Sequence, residues 1–446
     1  MLFKNQKQII KNGKPFRIKK IRKDILDILT SAVNAVDPYK IMKSRFSCNK
    51  IIFESKITDL KKFKNIYLIG FGKASVGMAQ AVCDSVNIKK GIVITNDLVK
   101  KVKSKSILTL TGSHPIPNKK SMINTDKILN FIKKCDKKDL LIVLISGGGS
   151  ALLCKPRVDI SDFQKTMDML LKSGANINEI NTIRKHLSFV KGGQLLTFTK
   201  CKVISFIISD IVGDPLEFIA SGPTYPDSTT YLDSQKIFKK YKLWEKIPFS
   251  VKKIINDGIK GKISETIKKD DQVLKKVENF LVANNKIACK AAEKKAKELG
   301  YKTQILTTTL TGEAKKAGKF LIKKAIRYQT IFNKNAFISG GETTVKITGN
   351  GKGGRNLEMV LGTIKELYDK KFIFASFATD GIDGNCEAAG AIADPYTYVR
   401  SEKKGLDSNK FLKQNNSYEF FEKLKDLLIT KKTGTNVMDI QVLVKL

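Results

Sequence analysis

Residues 139–150 read DLLIVLISGGGS, a run of six large apolar residues that ends in three glycines. An uninterrupted apolar run of this length is typical of a strand buried on both faces. The stretch 65–72, NIYLIGFG, has the same form and precedes a helix predicted over 74–86. Further strands are predicted at 202–208, 279–284, 335–339 and 372–378. Buried strands that alternate with helices predict an α/β fold with a mostly parallel sheet covered on both faces.

The length of the chain indicates two domains. Its 446 residues exceed one ordinary core, since about 150 residues per domain is a common size. We expect a larger domain over 1–270 and a smaller α/β domain over 271–446. The stretch 231–271 is polar, Lys-rich and weakly periodic, and we interpret it as the lower-complexity end of the first domain.

The net charge of +40 raises the question of nucleic-acid binding. Only 8 of the 82 basic residues are arginine, and the lysines accompany abundant Ile and Asn, as A+T-rich codons would give. The basic runs lack the interleaved aromatic residues on which bases stack. We therefore expect a solvated lysine surface and no nucleic-acid partner, although a positive field can speed the encounter with anionic substrates.

The content of cysteine, histidine and apolar residues argues against a zinc-binding protein and against a membrane protein. The seven cysteines form no C-x-x-C pair and there are two histidines, which argues against a zinc site. Free thiols suggest a reducing compartment, and no apolar run approaches the roughly 18 residues of a membrane span. The basic first 25 residues lack a signal-peptide apolar core. We expect a cytoplasmic protein without a membrane partner, with a mitochondrial presequence left open.

Two glycine-rich loops are candidate phosphate sites, because ligands of open parallel sheets bind beyond the carboxyl ends of the strands. Residues 70–77 read GFGKASVG, where a turn into a helix exposes N–H groups and Lys73 adds a charge. This is not a Walker A loop, and a tight turn with a surface lysine is the alternative. Residues 146–150 read SGGGS. Three glycines mark close approach to a ligand or to a neighbouring element, and Ser150 is expected to cap the following helix.

Carboxylates follow two further strands. Asp210 and Asp214 lie just beyond the strand at 202–208, and such oxygens suit Mg²⁺ held together with substrate phosphates. Asp380 and Asp383 lie in TDGIDG, residues 379–384, and are candidates for a metal ligand or a general base. In each case the alternative is a carboxylate that only stabilises its own turn.

Arginine and histidine side chains are further candidates for binding an anionic ligand. Arg355 stands in GGRN, residues 353–356, before a predicted helix, and its planar guanidinium suits a phosphate or a carboxylate. His186 lies on a predicted helix and is expected to be structural, whereas its neighbours Arg184, Lys185 and Lys191 could form an anion site.

These loops occur together in an order that resembles the glycerate 2-kinase family, whose C-terminal part is called the MOFRL domain. The matching blocks span about residues 65–440 and read GFGKASVGMA (70–79), GSHPIP (112–117), LISGGGSALL (144–153), INTIRKHLSFVKGGQL (180–195), SDIVGDPLEFIASGPT (209–224), SGGETTVKITGNGKGGRN (339–356), ATDGIDGNCEAAGA (378–391) and TGTNV (433–437). Departures are modest: Leu357 stands where the family commonly has Gln, and Asn385-Cys386-Glu387 replaces Pro-Thr-Asp.

The resemblance implies ATP-dependent phosphorylation of D-glycerate at its 2-hydroxyl, with Mg²⁺ required and 2-phosphoglycerate and ADP as products. It implies a Rossmann-like larger N-terminal domain with a parallel sheet, a smaller α/β MOFRL domain and a cleft between them. D-Glycerate and ATP are the expected partners, and a homo-oligomer is left open.

The resemblance assigns roles to two residues, since Lys73 and Arg355 match basic residues that serve the reacting phosphoryl group. The roles of the other residues rest on the residue types and their positions. We rank Asp380 first as the base and expect Asp210 and Asp214 to hold the metal. The residues expected to bind substrate or nucleotide are Gly72, Ser75, Ser146, Gly147, Gly148, Gly149, Ser150, Arg184, Lys191, Gly340, Gly341, Glu342 and Asn356.

The nearest rival is an NAD(P)H-dependent hydroxypyruvate reductase, which would act on the same small acids. Such an enzyme needs an acidic residue about 20 positions after its glycine-rich turn. Residues 88–95, IKKGIVIT, offer no acid at a strand end, and Asp97 is the nearest. The sequence therefore favours the kinase.

Overall fold

The computed structural model describes residues 1–328 and 334–446 and divides into two compact units. The parallel-sheet unit comprises Pro38–Ser209 and Asp214–Val282. The mixed-sheet unit comprises Met1–Asp37, Asp210–Gly213 and Ala283–Leu446. The domain boundary that the sequence suggested after residue 270 stays a prediction.

The described helices and strands alternate along most of the chain, as the sequence predicted. The helices are α1 Gln6–Asn12, α2 Phe16–Ala35, α3 Pro38–Lys43, α4 Ser75–Cys83, α5 Lys119–Ile132, α6 Gly149–Leu152, α7 Ile160–Lys172, α8 Ile177–His186, α9 Tyr231–Lys240, α10 Phe249–Ile259, α11 Asn285–Glu298, α12 Ala314–Arg327, α13 Arg355–Leu361, α14 Ile364–Lys370, α15 Pro395–Glu402, α16 Ser408–Lys413 and α17 Ser417–Leu424. The strands are β1 Phe46–Ser47, β2 Lys50–Phe53, β3 Lys56–Asp59, β4 Ile66–Phe71, β5 Lys90–Thr95, β6 Ile107–Thr111, β7 Leu140–Ile145, β8 Lys202–Ile208, β9 Val277–Ala283, β10 Lys302–Leu310, β11 Asn335–Gly341, β12 Phe372–Ala378, β13 Gly390–Ala393, β14 Leu427–Leu428 and β15 Asp439–Lys445.

The main sheet of the parallel-sheet unit has the strand order β6-β5-β4-β7-β8-β9. Parallel ladders join β6 to β5, β5 to β4, β4 to β7 and β7 to β8. Every residue of β7 is buried, as its uninterrupted apolar run requires. A small antiparallel sheet, β1-β2-β3, accompanies it. The expected parallel α/β arrangement is confirmed here, and the loops after β4 and β7 lie side by side.

The sheet of the mixed-sheet unit has the order β10-β11-β15-β12-β13-β14. Only β10 and β11 run parallel among its described ladders, because β15 enters between β11 and β12 in the opposite direction. A mostly parallel sheet is therefore the wrong expectation for this unit. The α/β class itself is confirmed, since helices pack beside this sheet as well.

The basic N-terminal segment is part of the mixed-sheet unit. Helix α2 buries Ile25, Leu26 and Leu29 on one face. Arg22 on the same helix is fully buried and pairs with Asp394 at 2.5 Å and with Asp426 at 2.7 Å. Two carboxylates around one buried guanidinium tie this segment to the C-terminal part of the chain, a role that the sequence did not reveal.

The stretch predicted as a lower-complexity domain end is helical and well packed. Helices α9 and α10 bury Tyr231, Phe238 and Val251 in one apolar cluster of the parallel-sheet unit with residues of α7 and α8. The polar, weakly periodic sequence still forms packed helices because these three residues lie on the faces that contact the cluster, whereas Leu232 and Phe249 stay exposed. Among the described helices, none has the length and apolarity needed to cross a membrane.

Candidate functional site

The loops after β4 and β7 are joined by backbone and side-chain hydrogen bonds. The N–H of Lys73 donates to the carbonyl of Gly147 at 2.9 Å, and the N–H of Ala74 donates to Ser146 Oγ at 3.0 Å. Gly72 has φ 126°, and a Cβ there would lie 2.2 Å from Ser146 Oγ. A side chain at residue 72 would separate the loops, so glycine is required.

Ser75 serves the first loop from within. Its side chain is fully buried, and its hydroxyl donates to the carbonyls of Gly72 at 2.7 Å and Ile94 at 3.2 Å. The hydroxyl therefore holds the turn that presents Lys73, and direct contact of Ser75 with a ligand stays a prediction.

The SGGGS loop turns directly into α6. Gly148 has φ 80° and is the N-cap residue, so the helix begins one residue before Ser150. The capping role expected for Ser150 is wrong, because its hydroxyl instead lies 2.9 Å from Ser221 Oγ. A Cβ on Gly149 would lie 2.8 Å from Ala220 Cβ. At this glycine the close approach is to a neighbouring turn of the protein.

A chain of polar groups leads from Ser150 to Arg184. Ser221 Oγ donates to Asn181 Oδ1 at 3.0 Å, and Arg184 Nη1 donates to the same oxygen at 3.4 Å. Ser221 has a left-handed backbone with φ 63°, a conformation that persists only where the surroundings enforce it. Burial lowers the pKa of Arg184, and the titratable group that opposes this effect is the thiol of Cys154. The guanidinium thus has no carboxylate to neutralise it among the described residues, which suits an anionic ligand.

Lys191 lies beneath this network. Its ammonium is buried and donates to the carbonyls of Ser150 at 2.8 Å and Leu153 at 3.0 Å. Burial lowers its pKa to about 7, with Cys154 opposing the shift and Arg184 adding to it. Lys191 thus contacts Ser150 and lies near Arg184, which the sequence grouped with it as a possible anion site. Contact of Lys191 with substrate stays a prediction.

His114 belongs to the same loops and was missed as a candidate. A Cβ on Gly148 would lie 3.0 Å from His114 Cδ2 and 3.4 Å from Lys73 Cγ, so Gly148 fits between them. Burial, followed by the charge of Lys73, lowers the pKa of His114 to about 4. It is a neutral imidazole beside the loops at physiological pH. His114 lies in the GSHPIP block of the sequence, but nothing in that block indicated a role for the histidine.

The other histidine is structural, as predicted. His186 is buried, with Nδ1 at 2.8 Å from the Thr182 carbonyl and Nε2 at 3.1 Å from Glu265. Its neighbour Lys185 pairs with Asp227 at 3.0 Å, so its charge is already compensated.

We call the two loops after β4 and β7, together with Lys73, Arg184 and Lys191, the cationic loop cluster.

Arg355 is the first residue of α13 in the mixed-sheet unit, as predicted. Its Nε and Nη2 donate to the two oxygens of Asp439 at 2.6 and 2.9 Å, and Nη1 lies 2.8 Å from Glu342 Oε1. Asp439, at the start of β15, is buried and was missed, because only the insertion of β15 beside β11 and β12 brings it here.

Asp383 stabilises the start of α13. It is buried and accepts hydrogen bonds from the backbone N–H groups of Asn356 at 3.1 Å and Leu357 at 2.8 Å. Burial, together with the charge of Asp439, raises its pKa to about 7. Asn356 is itself fully buried, and its Nδ2 donates to Asp383 at 3.2 Å. Its contact with a ligand stays a prediction.

Further carboxylates surround Glu342. Burial raises the pKa of Glu342, and the charges of Asp439, Asp210 and Asp380 act in the same direction against Arg355. The half-buried Asp380 accepts the N–H of Ile382 at 3.1 Å within its own turn. We call these side chains the arginine–carboxylate cluster; its members are Arg355, Glu342, Asp383, Asp439, Asp210 and Asp380.

The glycines before this cluster pack against protein. A Cβ on Gly340 would lie 2.0 Å from Asn285 Oδ1, and one on Gly341, with φ 145°, would lie 2.3 Å from the Leu310 backbone nitrogen. Close packing therefore explains both glycines. Their contact with a ligand stays a prediction.

The donor chemistry of the predicted metal ligands fits Mg²⁺ in part. Asp210 and Asp214 supply the hard oxygens that this ion prefers, and Asp214 lies in a left-handed turn with φ 56°. Within residues 1–328 and 334–446, no three or more His, Cys, Asp or Glu side chains are arranged to hold a metal ion. Mg²⁺ commonly uses one or two carboxylates and completes its shell with water and phosphate oxygens, so an incomplete protein set is compatible with it.

Comparison with known families and proteins gives consistent matches over most of the chain. A domain of unknown function (DUF4147) matches residues 24–256, and the MOFRL family matches residues 335–439. A glycerate 2-kinase of Pyrococcus horikoshii is 43% identical over 429 residues, covering 94% of this chain and 96% of that protein. A crystal structure of a glycerate kinase from Thermotoga maritima superposes with a TM-score of 0.84 at 35% identity, covering 96% of this chain and 100% of the other. An Agrobacterium vitis protein named provisionally as a hydroxypyruvate reductase is 36% identical, covering 84% of this chain and 86% of its own.

Proposed function

Since the chain belongs to the glycerate 2-kinase family, we propose that it transfers the γ-phosphoryl group of ATP to the 2-hydroxyl of D-glycerate. The products are 2-phosphoglycerate and ADP. The observation that carries the proposal is the cationic loop cluster, where Arg184 lies beside Asn181 and Ser221 without a neutralising carboxylate. A small hydroxy acid offers one carboxylate for that guanidinium and hydroxyls for the adjoining polar groups.

In the parallel-sheet unit, Lys73 and the SGGGS loop handle negative charge. The turn leads into the N-terminal, positive end of α4, which favours an anion, while its Lys73 and Ala74 N–H groups hold the SGGGS loop in place. Lys73 is half-buried, and its ammonium adds a point charge that gains strength where water is excluded. We assign Lys73 to the transferring phosphoryl group and Arg184 to the substrate carboxylate. Ser146, Gly147 and Gly148 shape the loop that receives them.

In the mixed-sheet unit, Arg355 and the carboxylates act on the reacting oxygens. Two hydrogen bonds to Asp439 fix the orientation of the Arg355 guanidinium. We assign the part of the guanidinium that does not contact Asp439 to the phosphoryl oxygens. Asp380 accepts the proton of the 2-hydroxyl as that oxygen attacks phosphorus. Asp210 and Asp214 would hold Mg²⁺, which when bound offsets charge on the β- and γ-phosphates.

A reductase is the second candidate, because a relative of this chain carries that name. The local contacts of Asp97 argue against it. Its Oδ1 accepts the backbone N–H groups of Val99 at 3.0 Å and Lys100 at 3.1 Å. An acid that must bind a ribose hydroxyl is here engaged in its own turn.

The setting of the reaction follows from composition. Seven scattered free cysteines favour a reducing cytoplasm. We propose D-glycerate and ATP as the partners, without nucleic acid or membrane, and leave self-association open.

The deciding experiment incubates the purified chain with ATP, Mg²⁺ and D-glycerate and identifies the phosphoglycerate isomer by NMR. Formation of 2-phosphoglycerate, abolished by a chelator and restored by added Mg²⁺, is the expected result. Oxidation of NADH with hydroxypyruvate in place of phosphoryl transfer would support the reductase and overturn the kinase.

A further inference from the structure

Lys191 is a buried cation that no carboxylate neutralises among the residues the structure describes. Its side chain is 1% exposed. The titratable groups that act on its pKa are the thiol of Cys154 and the guanidinium of Arg184, and neither is a carboxylate. Lys185, on the same stretch of chain, pairs instead with Asp227 and Glu217. A buried ammonium without a carboxylate destabilises the fold, so its retention calls for another explanation.

The hydrogen bonds of Lys191 are directed at the SGGGS turn. Helix α6 has four residues, too few to be stable on their own. Lys191 donates to the carbonyl of Ser150, inside this helix, and to that of Leu153 at its end. These two bonds fix the segment whose Ser150 hydroxyl bonds Ser221 and whose first residues contact the Lys73 loop.

The charge of Lys191 adds to that of Arg184. Each lies in a buried region where charges are weakly screened, and the charge of Arg184 contributes to the lowered pKa of Lys191. An anion bound beside Arg184 would offset both charges together. Removing Lys191 would therefore loosen the turn and weaken the attraction for the anion.

We propose that Lys191 is a positioning residue, which holds the SGGGS turn through two carbonyls and strengthens the binding of an anionic substrate without touching it. This inference rests on the proposed function, in which the anion is the carboxylate of D-glycerate. It replaces the direct substrate contact expected of Lys191 from the sequence.

A proton linkage follows from this placement. Because its pKa is lowered to about 7, the positive charge is present below that pH and lost above it. Arg184 keeps its charge throughout this range, and the neighbouring Cys154 stays a neutral thiol because burial raises its pKa. The apparent affinity for D-glycerate should therefore weaken as the pH rises through about 7, and binding above that pH should take up a proton.

The test compares Lys191→Met and Lys191→Arg with Lys155→Met as matched control. Lys155 lies near the turn but pairs with Asp126 at 2.8 Å, so its charge is already compensated. We expect Lys191→Met to lower kcat/KM for D-glycerate about 10²-fold, the size of effect that a small misplacement at a site produces. Lys155→Met should stay within about twofold, as is usual for a surface pair.

The pH profile separates positioning from packing. The wild type and Lys155→Met should lose kcat/KM above about pH 7, whereas Lys191→Arg should keep its activity to higher pH because arginine remains charged. An unchanged profile in Lys191→Arg, or full activity in Lys191→Met, would overturn the proposal.

Hydrogen–deuterium exchange decides the case independently of catalysis. Without substrate, the peptide covering Ser146–Leu153 should exchange faster in Lys191→Met than in the wild type and Lys155→Met. Equal exchange would overturn the positioning role. If exchange depends on Lys191 but the wild type does not phosphorylate D-glycerate, the proposed function is refuted and the positioning role is not.

Calorimetry tests the proton linkage on the wild type alone, with D-glycerate as the probe in two buffers. Binding should take up protons, and the absence of proton uptake would contradict the linkage even if the variants fail to fold.

Discussion

The cationic loop cluster and the arginine–carboxylate cluster both follow the ends of buried strands, yet their charges are arranged oppositely. In the first, Arg184 and Lys191 have no carboxylate beside them within the described chain. In the second, Arg355 is held by Asp439 and Glu342 and lies among further acids. A chain of net charge +40 thus contains a locally acidic site. Overall charge gives little information about the charge at a site.

The difference has an energetic consequence. Cations without internal partners contribute to ligand binding and little to the stability of the fold. Charges paired within the protein contribute to both, since removal of one partner leaves the other buried and uncompensated. The following substitutions test that distinction, beginning with the largest expected effect.

Arg355→Ala should reduce both activity and stability. We expect kcat to fall about 10³-fold with the loss of the guanidinium, and the free energy of unfolding to fall by about 3 kcal/mol because the buried Asp439 loses its partner. Steady-state kinetics and urea unfolding measure the two. Arg355→Lys should retain part of the stability. If Arg355→Ala unfolds like the wild type, the pairing with Asp439 is not stabilising and the comparison fails.

Lys73→Ala should reduce activity alone. Lys73 as a residue is half-buried, and alanine suits the turn before α4, so unfolding should change little. If Lys73 serves the phosphoryl group as proposed, loss of its charge should lower kcat about 10²-fold. Thermal melting beside D-glycerate kinase turnover is the measurement. A large drop in melting temperature, or activity within about twofold of wild type, would show that Lys73 does not act on the phosphoryl group.

Arg184→Met should raise KM for D-glycerate more than it lowers kcat. Hydrogen bonds to a charged group contribute about 1.5–3 kcal/mol, which is about 10- to 100-fold in binding. Stability should be unchanged, because no carboxylate is left unpaired. Lys172→Met, which removes a surface ion pair with Asp168, is the control and should change neither constant. A KM for ATP that rises in place of that for D-glycerate would move Arg184 to the nucleotide.

Asp383→Asn should change the pH dependence of stability. Because the folded pKa of Asp383 is raised to about 7 from its ordinary value of 3.8, the folded state binds more protons than the unfolded state between these values. Wild-type stability therefore falls as the pH rises through this window, and asparagine removes that loss.

Urea unfolding at about pH 5 and pH 8 measures the effect. Relative to the wild type, the free energy of unfolding of Asp383→Asn should be higher at about pH 8 than at about pH 5. The surface variant Asp168→Asn should show no such change. A constant difference between variant and wild type would mean that Asp383 does not titrate in this range.

Much of the fold was predictable because buried strands leave a strong pattern. The strands predicted at 202–208 and 372–378 are found with these bounds as β8 and β12. Strands β13 and β14 were missed, since two to four residues carry no usable periodicity. The direction of β15 was also beyond prediction, because strand pairing depends on contacts between distant segments.

The sequence by itself determined the α/β class, the order of the glycine-rich loops and the family, because these depend on local patterns and on collinear motifs. Only the tertiary structure decided which charges are compensated. Lys185 and Lys191 are both buried lysines six residues apart, yet Asp227 neutralises the first and two carbonyls receive the second. Their partners come from separate parts of the chain, and the pairing of a charge depends on which atoms the fold brings within a few ångströms of it.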